Sequence, residues 1–161
     1  MVSILIDDTL LLRSFQPDDT PELFRAVDES RLHLRPWLRW VDATTRQEHI
    51  LQFIQRTMQQ LHNQEALELG IVHNRKIIGG IGMHNWDHSL KKAYIGYWIR
   101  KEYEGQGIVY RCLQHFIDFL FEKPGLNKIE IHFMPANTRS GALAQRLGCK
   151  IEGVIRQSYL M

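Results

Sequence analysis

Tyr94-Ile95-Gly96-Tyr97-Trp98-Ile99 followed by Arg100-Lys101-Glu102-Tyr103-Glu104-Gly105-Gln106-Gly107-Ile108-Val109 decides the fold. The first six residues are aromatic, β-branched or glycine, the composition of a strand buried on at least one face. Two glycines then let backbone amides approach another group closely. Beyond them Val109, Cys112, Leu113, Phe116, Ile117 and Leu120 recur at helical spacing, so the glycines stand at the mouth of an amphipathic helix. A helix start of this kind offers unpaired N–H groups and a partial positive charge to an anion such as a phosphate or pyrophosphate. A tight strand-to-helix turn without a ligand is the plain alternative, because G-x-G alone is a weak signal. Two nucleotide loops are disfavoured: Ile108-Val109 replaces the Lys-Ser/Thr of a Walker loop, and Tyr110 occupies the third small position of a dinucleotide fingerprint.

The rest of the chain limits the choice of anion. Its 161 residues, 44% of them hydrophobic, suit one α/β domain with a full core. A net charge of +2 gives no bulk attraction to nucleic acid. Cys112 and Cys149 both fall in apolar patterns, which predicts buried, reduced thiols rather than a disulfide framework or a metal site. Met1 to Asp8 lacks the basic start of a signal peptide, and no run approaches the roughly 18 apolar residues of a membrane span. A soluble, cytoplasmic protein is expected.

Outward from the central stretch, Leu10 to Phe15 reads as a strand and Pro17-Asp18-Asp19-Thr20-Pro21 as a helix start, with Leu23, Phe24 and Val27 as its buried stripe. His33 to Trp40 is an aromatic, basic connector, either a packed flap or the wall of an acceptor site. Thr45 and Glu48 have capping-box spacing before a helix ending near Asn63. The period then changes to two. Leu67, Leu69 and Ile71 form a strand, Asn74-Arg75 a turn, Lys76 to His84 a glycine-rich strand, and Asn85 to Lys91 a polar loop. After the central helix come a strand over Lys128 to Phe133, a helix over Asn137 to Leu147 closed by Gly148, and a last strand over Ile151 to Tyr159.

This order of elements, with Leu11-Leu12-Arg13-Ser14-Phe15, Leu34-Arg35-Pro36-Trp37-Leu38-Arg39-Trp40, Ile95-Gly96-Tyr97-Trp98-Ile99, Gly105-Gln106-Gly107-Ile108, Asn137-Thr138-Arg139-Ser140, Arg146-Leu147-Gly148-Cys149 and Glu152-Gly153, resembles the GNAT superfamily of acyl-CoA N-acyltransferases. Within it, the likeness is to the ribosomal-protein N-terminal acetyltransferases. The resemblance implies a mixed, mostly antiparallel sheet flanked by helices. It also implies acetyl-CoA as cosubstrate without a metal, and a protein N-terminus or small amine as acceptor. Tyr97, Trp98, Ile99, Glu104, Gly105, Gln106, Gly107, Ile108, Val109, Asn137 and Ser140 would then contact the cofactor. Ser140 would lie near the thioester sulfur, although Asn137 also fits a plain helix N-cap.

Several positions depart from the pattern. Glu104 replaces the usual Gln or Arg, Ala144 the usual tyrosine acid, Tyr94 a frequent glutamate, and Cys149 a phenylalanine. His84 is a candidate base acting through water, Tyr94 a weaker one, and a backbone N–H near Trp98 or Ile99 is the candidate oxyanion donor. The family also adds a strand after the last one here. Either the chain is shortened, or a second chain in a homo-oligomer supplies the strand, or the sheet keeps an open edge. With no evident carboxylate base, an α-amine is the better acceptor: near pKa 7.7–8.0 it is roughly 10% neutral at pH 7, against about 0.05% for lysine. A small-amine acetyltransferase and a non-catalytic CoA-binding module are the alternatives.

Overall fold

The fold is that of a computed structural model, in which residues 1–155 are described. Six strands form one sheet in the order β1-β2-β3-β4-β5-β6. They are β1 (Ser3–Leu5), β2 (Leu10–Ser14), β3 (Leu67–His73), β4 (Lys76–Asp87), β5 (Lys92–Ile99) and β6 (Lys128–Ile131). All neighbours pair antiparallel except β5 and β6, which run parallel. The mixed, mostly antiparallel sheet is therefore as expected. β3 and β4 are joined through Asn74 and Arg75, whose φ values of 49° and 66° suit a two-residue hairpin turn.

Helices cover the two faces. After one 3-10 turn at Pro17–Asp19, α1 (Thr20–Glu29) packs on α4 (Gln47–His62) over one face, burying Phe15, Leu23, Val27, Ile50, Ile54 and Ile77. On the other face α5 (Ile108–Glu122) buries Cys112, Leu113, Phe116 and Leu120 against Leu69, Ile81 and Ile95. Each large apolar side chain buried this way contributes roughly 1.5–3 kcal/mol. Leu143 and Leu147 pack on that second core, which places α6 (Thr138–Arg146) on the α5 face.

Several sequence expectations are corrected. Strand β1 is an addition: it is too short to show a period and is held by pairing with β2. Thr45 and Glu48 form no capping box; the N-cap is Arg46, and the Thr45 N–H donates to His49 Nδ1 at 3.1 Å. The connector contains two one-turn helices, α2 (Arg31–Leu34) and α3 (Trp40–Ala43), with Trp37 and Trp40 partly exposed. Strand β4 runs on to Asp87 through an irregular step at Asn85 (φ 50°), where a loop was expected. Strand β6 stops at Ile131 rather than Phe133. Ile151 to Ile155 is exposed and forms no strand, and the remainder of the expected last strand lies outside the described residues. Cys112 is buried but Cys149 is exposed, because Gly148 (φ 86°) turns the chain away from the core just before it.

Candidate active site

The site begins where β5 loses its parallel partner. Pairing with β6 ends at Ile95–Ile131, yet β5 continues through Ile99. Arg100 N–H donates to the Ile78 carbonyl at 2.8 Å. Alternate residues of an antiparallel strand turn their polar groups to opposite neighbours, so Trp98 and Gly96 also face β4. Tyr97 and Ile99 therefore present N–H and C=O to the gap beyond Ile131. Of the two candidate oxyanion donors, Ile99 points into the gap and Trp98 away from it.

The glycine turn closes one end of that gap. Gly105 and Gly107 have φ values of 73° and 74°, and a Cβ at either would meet nothing within 4 Å. Gly107 is the N-cap of α5 and supplies no side-chain bond to it, while Arg111 N–H closes the first turn on the Gly107 carbonyl at 3.1 Å. The N–H groups of the first turn before Arg111 are thus the ones a helix leaves without intrahelical partners. The Gln106 side chain turns back to the Glu102 carbonyl at 3.1 Å, clear of those donors. Glu104 is pinned aside: its carboxylate takes both His33 and Arg139, tying the connector to α6. Such a cradle, open, glycine-lined and donor-rich, fits a pyrophosphate.

On the α5 face, Asn137 caps α6 by accepting the Ser140 N–H at 3.3 Å, so its plain capping role is real. Tyr97 O–H donates to Ser140 Oγ at 3.1 Å. Burial pushes the Tyr97 phenol above its ordinary pKa, which keeps it a proton donor at neutral pH. A hydroxyl pair therefore stands on this face although Ala144 lacks the expected tyrosine. The signal for it was Tyr97 itself, whose role depends on a contact 43 residues away.

On the opposite face, Tyr94, Gly96 and Trp98 of β5 lie against His84, Gly82 and Gly80 of β4. The Trp98 indole covers Gly80, where a Cβ would come 2.5 Å from its Nε1, and Trp40 meets Trp98 edge-on at 6.0 Å. The Glu68 carboxylate covers Gly82 in the same way and holds His84 Nε2 at 2.9 Å. Over Gly96 between them a Cβ would meet nothing within 4 Å. Gly96 thus leaves a hollow between Tyr94 and Trp98 on β5, with the Glu68 carboxylate lying over its β4 neighbour Gly82. Tyr94 accepts from Asn85 Nδ2 at 2.6 Å and stacks on His132 at 4.6 Å.

The predicted catalytic residues thus divide between faces, Ser140 on one and His84 with Tyr94 on the other. Glu68 escaped sequence reasoning; its only trace was an acidic residue inside an alternating apolar strand. Among the described residues, no group of three or more His, Cys, Asp or Glu side chains is placed to hold a metal ion. No described helix is long and apolar enough to cross a membrane.

A mixed sheet opened beside a glycine-capped helix matches the fold of the acyl-CoA-dependent N-acetyltransferases. The sequence profile of the Acetyltransferase (GNAT) domain matches residues 9–150, and the chain belongs to that family, whose acyl donor is acetyl-CoA. It is 31% identical over 160 residues to YdaF of Bacillus subtilis (strain 168), a protein named as a ribosomal N-acetyltransferase, covering 97% of this chain and 86% of that one. Among solved structures, RimL, the ribosomal L7/L12 alpha-N-protein acetyltransferase in complex with coenzyme A, superposes with a TM-score of 0.95 at 25% identity, covering 99% and 90% of the two chains. The microcin C7 self-immunity acetyltransferase MccE, in complex with acetyl-CoA and AMP, gives 0.91 at 27% identity, covering 96% and 86%.

Proposed function

We propose that the chain, acting as a single domain in the cytoplasm, moves acetyl directly from acetyl-CoA to the N-terminal α-amine of a protein, with ribosomal proteins as the acceptor class. The names of YdaF and RimL support that class. The observation that carries the reading is the juxtaposition of the β5–β6 gap with the hollow over Gly96.

In this reading the amides around Gly105, Gln106, Gly107, Ile108 and Val109 hold the pyrophosphate, and the gap-facing edge of Tyr97 and Ile99 lines the pantetheine arm. The Ile99 N–H meets the developing negative charge on the carbonyl oxygen. Tyr97 and Ser140 supply the proton that the leaving sulfur requires. The amine arrives from the opposite face. An α-amine, roughly 10% neutral at pH 7, suits this site better than lysine.

Thiol release from acetyl-CoA, followed with panels of peptides bearing free α-amines, peptides blocked at the N-terminus but containing lysine, and small amines, tests the proposal. Turnover confined to free α-amine peptides is expected. Turnover confined to small amines would overturn it in favour of a second reading, which the paired indoles of Trp40 and Trp98 support because they offer a wall for a planar acceptor.

A further inference from the structure

Glu68 Oε1 engages His84 Nε2 at 2.9 Å, which leaves Oε2 lying over Gly82. An ideal Cβ there would come within 2.3 Å of Oε2, so only glycine lets the carboxylate occupy that place. Gly82 is paired with Gly96, the floor of the hollow. The Glu68 side chain is 15% exposed and that of His84 40%, so the carboxylate is shielded while the imidazole reaches solvent. His84 also lines a cavity of about 390 Å³ with Gln60, Glu65, Trp86 and His88. A shielded carboxylate beside an open hollow, backed by a half-buried imidazole that still reaches solvent, is an arrangement for holding a cation and draining its proton.

We propose that Glu68 is the residue that receives the acceptor's ammonium, with His84 as the positioning group that fixes its carboxylate and passes the proton to solvent. This rests on the acetyl-transfer reading of the site. The pair accepts one proton from the ammonium as a coupled unit, and the charge settles on the imidazole. The neutral nitrogen's lone pair then forms the N–C bond to the acetyl carbon, and the C–S bond breaks with its electron pair going to sulfur. Tyr97 and Ser140 give sulfur a proton, the second proton lost by nitrogen restores theirs through solvent, and the imidazolium releases the first.

Groups facing His84 are Glu68 from β3, Tyr94 from β5 at 6.4 Å between ring centroids, and Glu65 and His88 across the cavity; Glu130 of β6 and His132 just past its end follow behind Tyr94. The Glu68 bond, opposed by burial, holds the His84 pKa above its ordinary value.

The test is the pH profile of kcat and KM for acetyl transfer in wild type, Glu68→Gln and His84→Gln, with peptide and small-amine acceptors, and CoA affinity as a control for folding. Glu68→Gln is expected to lose at least about a hundredfold in kcat/KM, with a raised acceptor KM and an acid limb moved to lower pH. His84→Gln should lower kcat with little change in KM. If Glu68→Gln fails to fold, Gly96→Leu fills the hollow instead and should abolish transfer while keeping CoA affinity. Peptide turnover that survives Glu68→Gln with an unmoved profile, or survives Gly96→Leu, overturns the Glu68 assignment but not the function. Turnover of small amines alone, with the predicted shift, retains Glu68 and overturns the protein-acceptor reading. Absence of turnover with every acceptor overturns both.

Discussion

The Tyr97 hydroxyl donates to Ser140 Oγ at 3.1 Å, joining the central strand to the first turn of α6. If the two hydroxyls act as one proton source, Tyr97→Phe and Ser140→Ala should each lower kcat by about ten- to a hundredfold, the span of one to two powers of ten ascribed to part of an acid–base contribution. The double variant should be little worse than the worse single one, because residues sharing a hydrogen bond are not additive. A four-variant cycle on kcat checks this, and full additivity would separate the two roles.

Gly107→Val places a β-branched side chain at φ 74°, which costs about 1–2 kcal/mol of backbone strain and crowds the amide cradle. Each charge-assisted bond lost there is worth about 1.5–3 kcal/mol. CoA affinity measured by calorimetry is expected to fall about ten- to a hundredfold or more. An unchanged Kd would remove the pyrophosphate assignment.

The two thiols should differ in reactivity. Burial pushes Cys112 up to about 12, whereas Cys149 is exposed and its pKa is raised by partial burial. A thiol reagent at mildly alkaline pH should titrate Cys149 in the native protein, more slowly than a free thiol, and both cysteines only after denaturation. Prompt labelling of both in native protein would contradict the packing of α5.

The Glu68–His84 pair also predicts a pH-dependent stability difference. The folded His84 pKa is raised, so its contribution is fully present below the ordinary value of about 6.5 and fades as pH rises through the raised value. Denaturant midpoints of wild type and Glu68→Gln should therefore differ most below pH 6.5 and converge as the pH rises through the raised value. A gap that widened with pH would reverse the sign of the interaction.

Legibility in the sequence followed the range of the interactions. The Gly105–Gly107 turn, the α5 stripe and the Asn74–Arg75 hairpin are encoded within a few neighbouring residues, and their place in the chain could be read directly. Glu68 over Gly82 could not, because it depends on the β3–β4 register, and the Asn85 step that ends regular pairing beyond His84 depends on β5. Thr45 and Glu48 had the right spacing for a cap, yet Thr45 engages His49 and Glu48 lies 3.4 Å from Arg46. Cys149 follows an apolar helix face but lies beyond Gly148, after which the face no longer exists. The family pattern pointed to the Glu104 position but not to its side chain turning away to His33 and Arg139.

The early end of β6 sets the order of events for the proposed reaction. A slit through a sheet can be approached from front and back at once, so neither reactant need vacate the site before the other enters. Steady-state kinetics should then follow a ternary-complex pattern with intersecting double-reciprocal lines, and no acetylated form of the protein itself should accumulate.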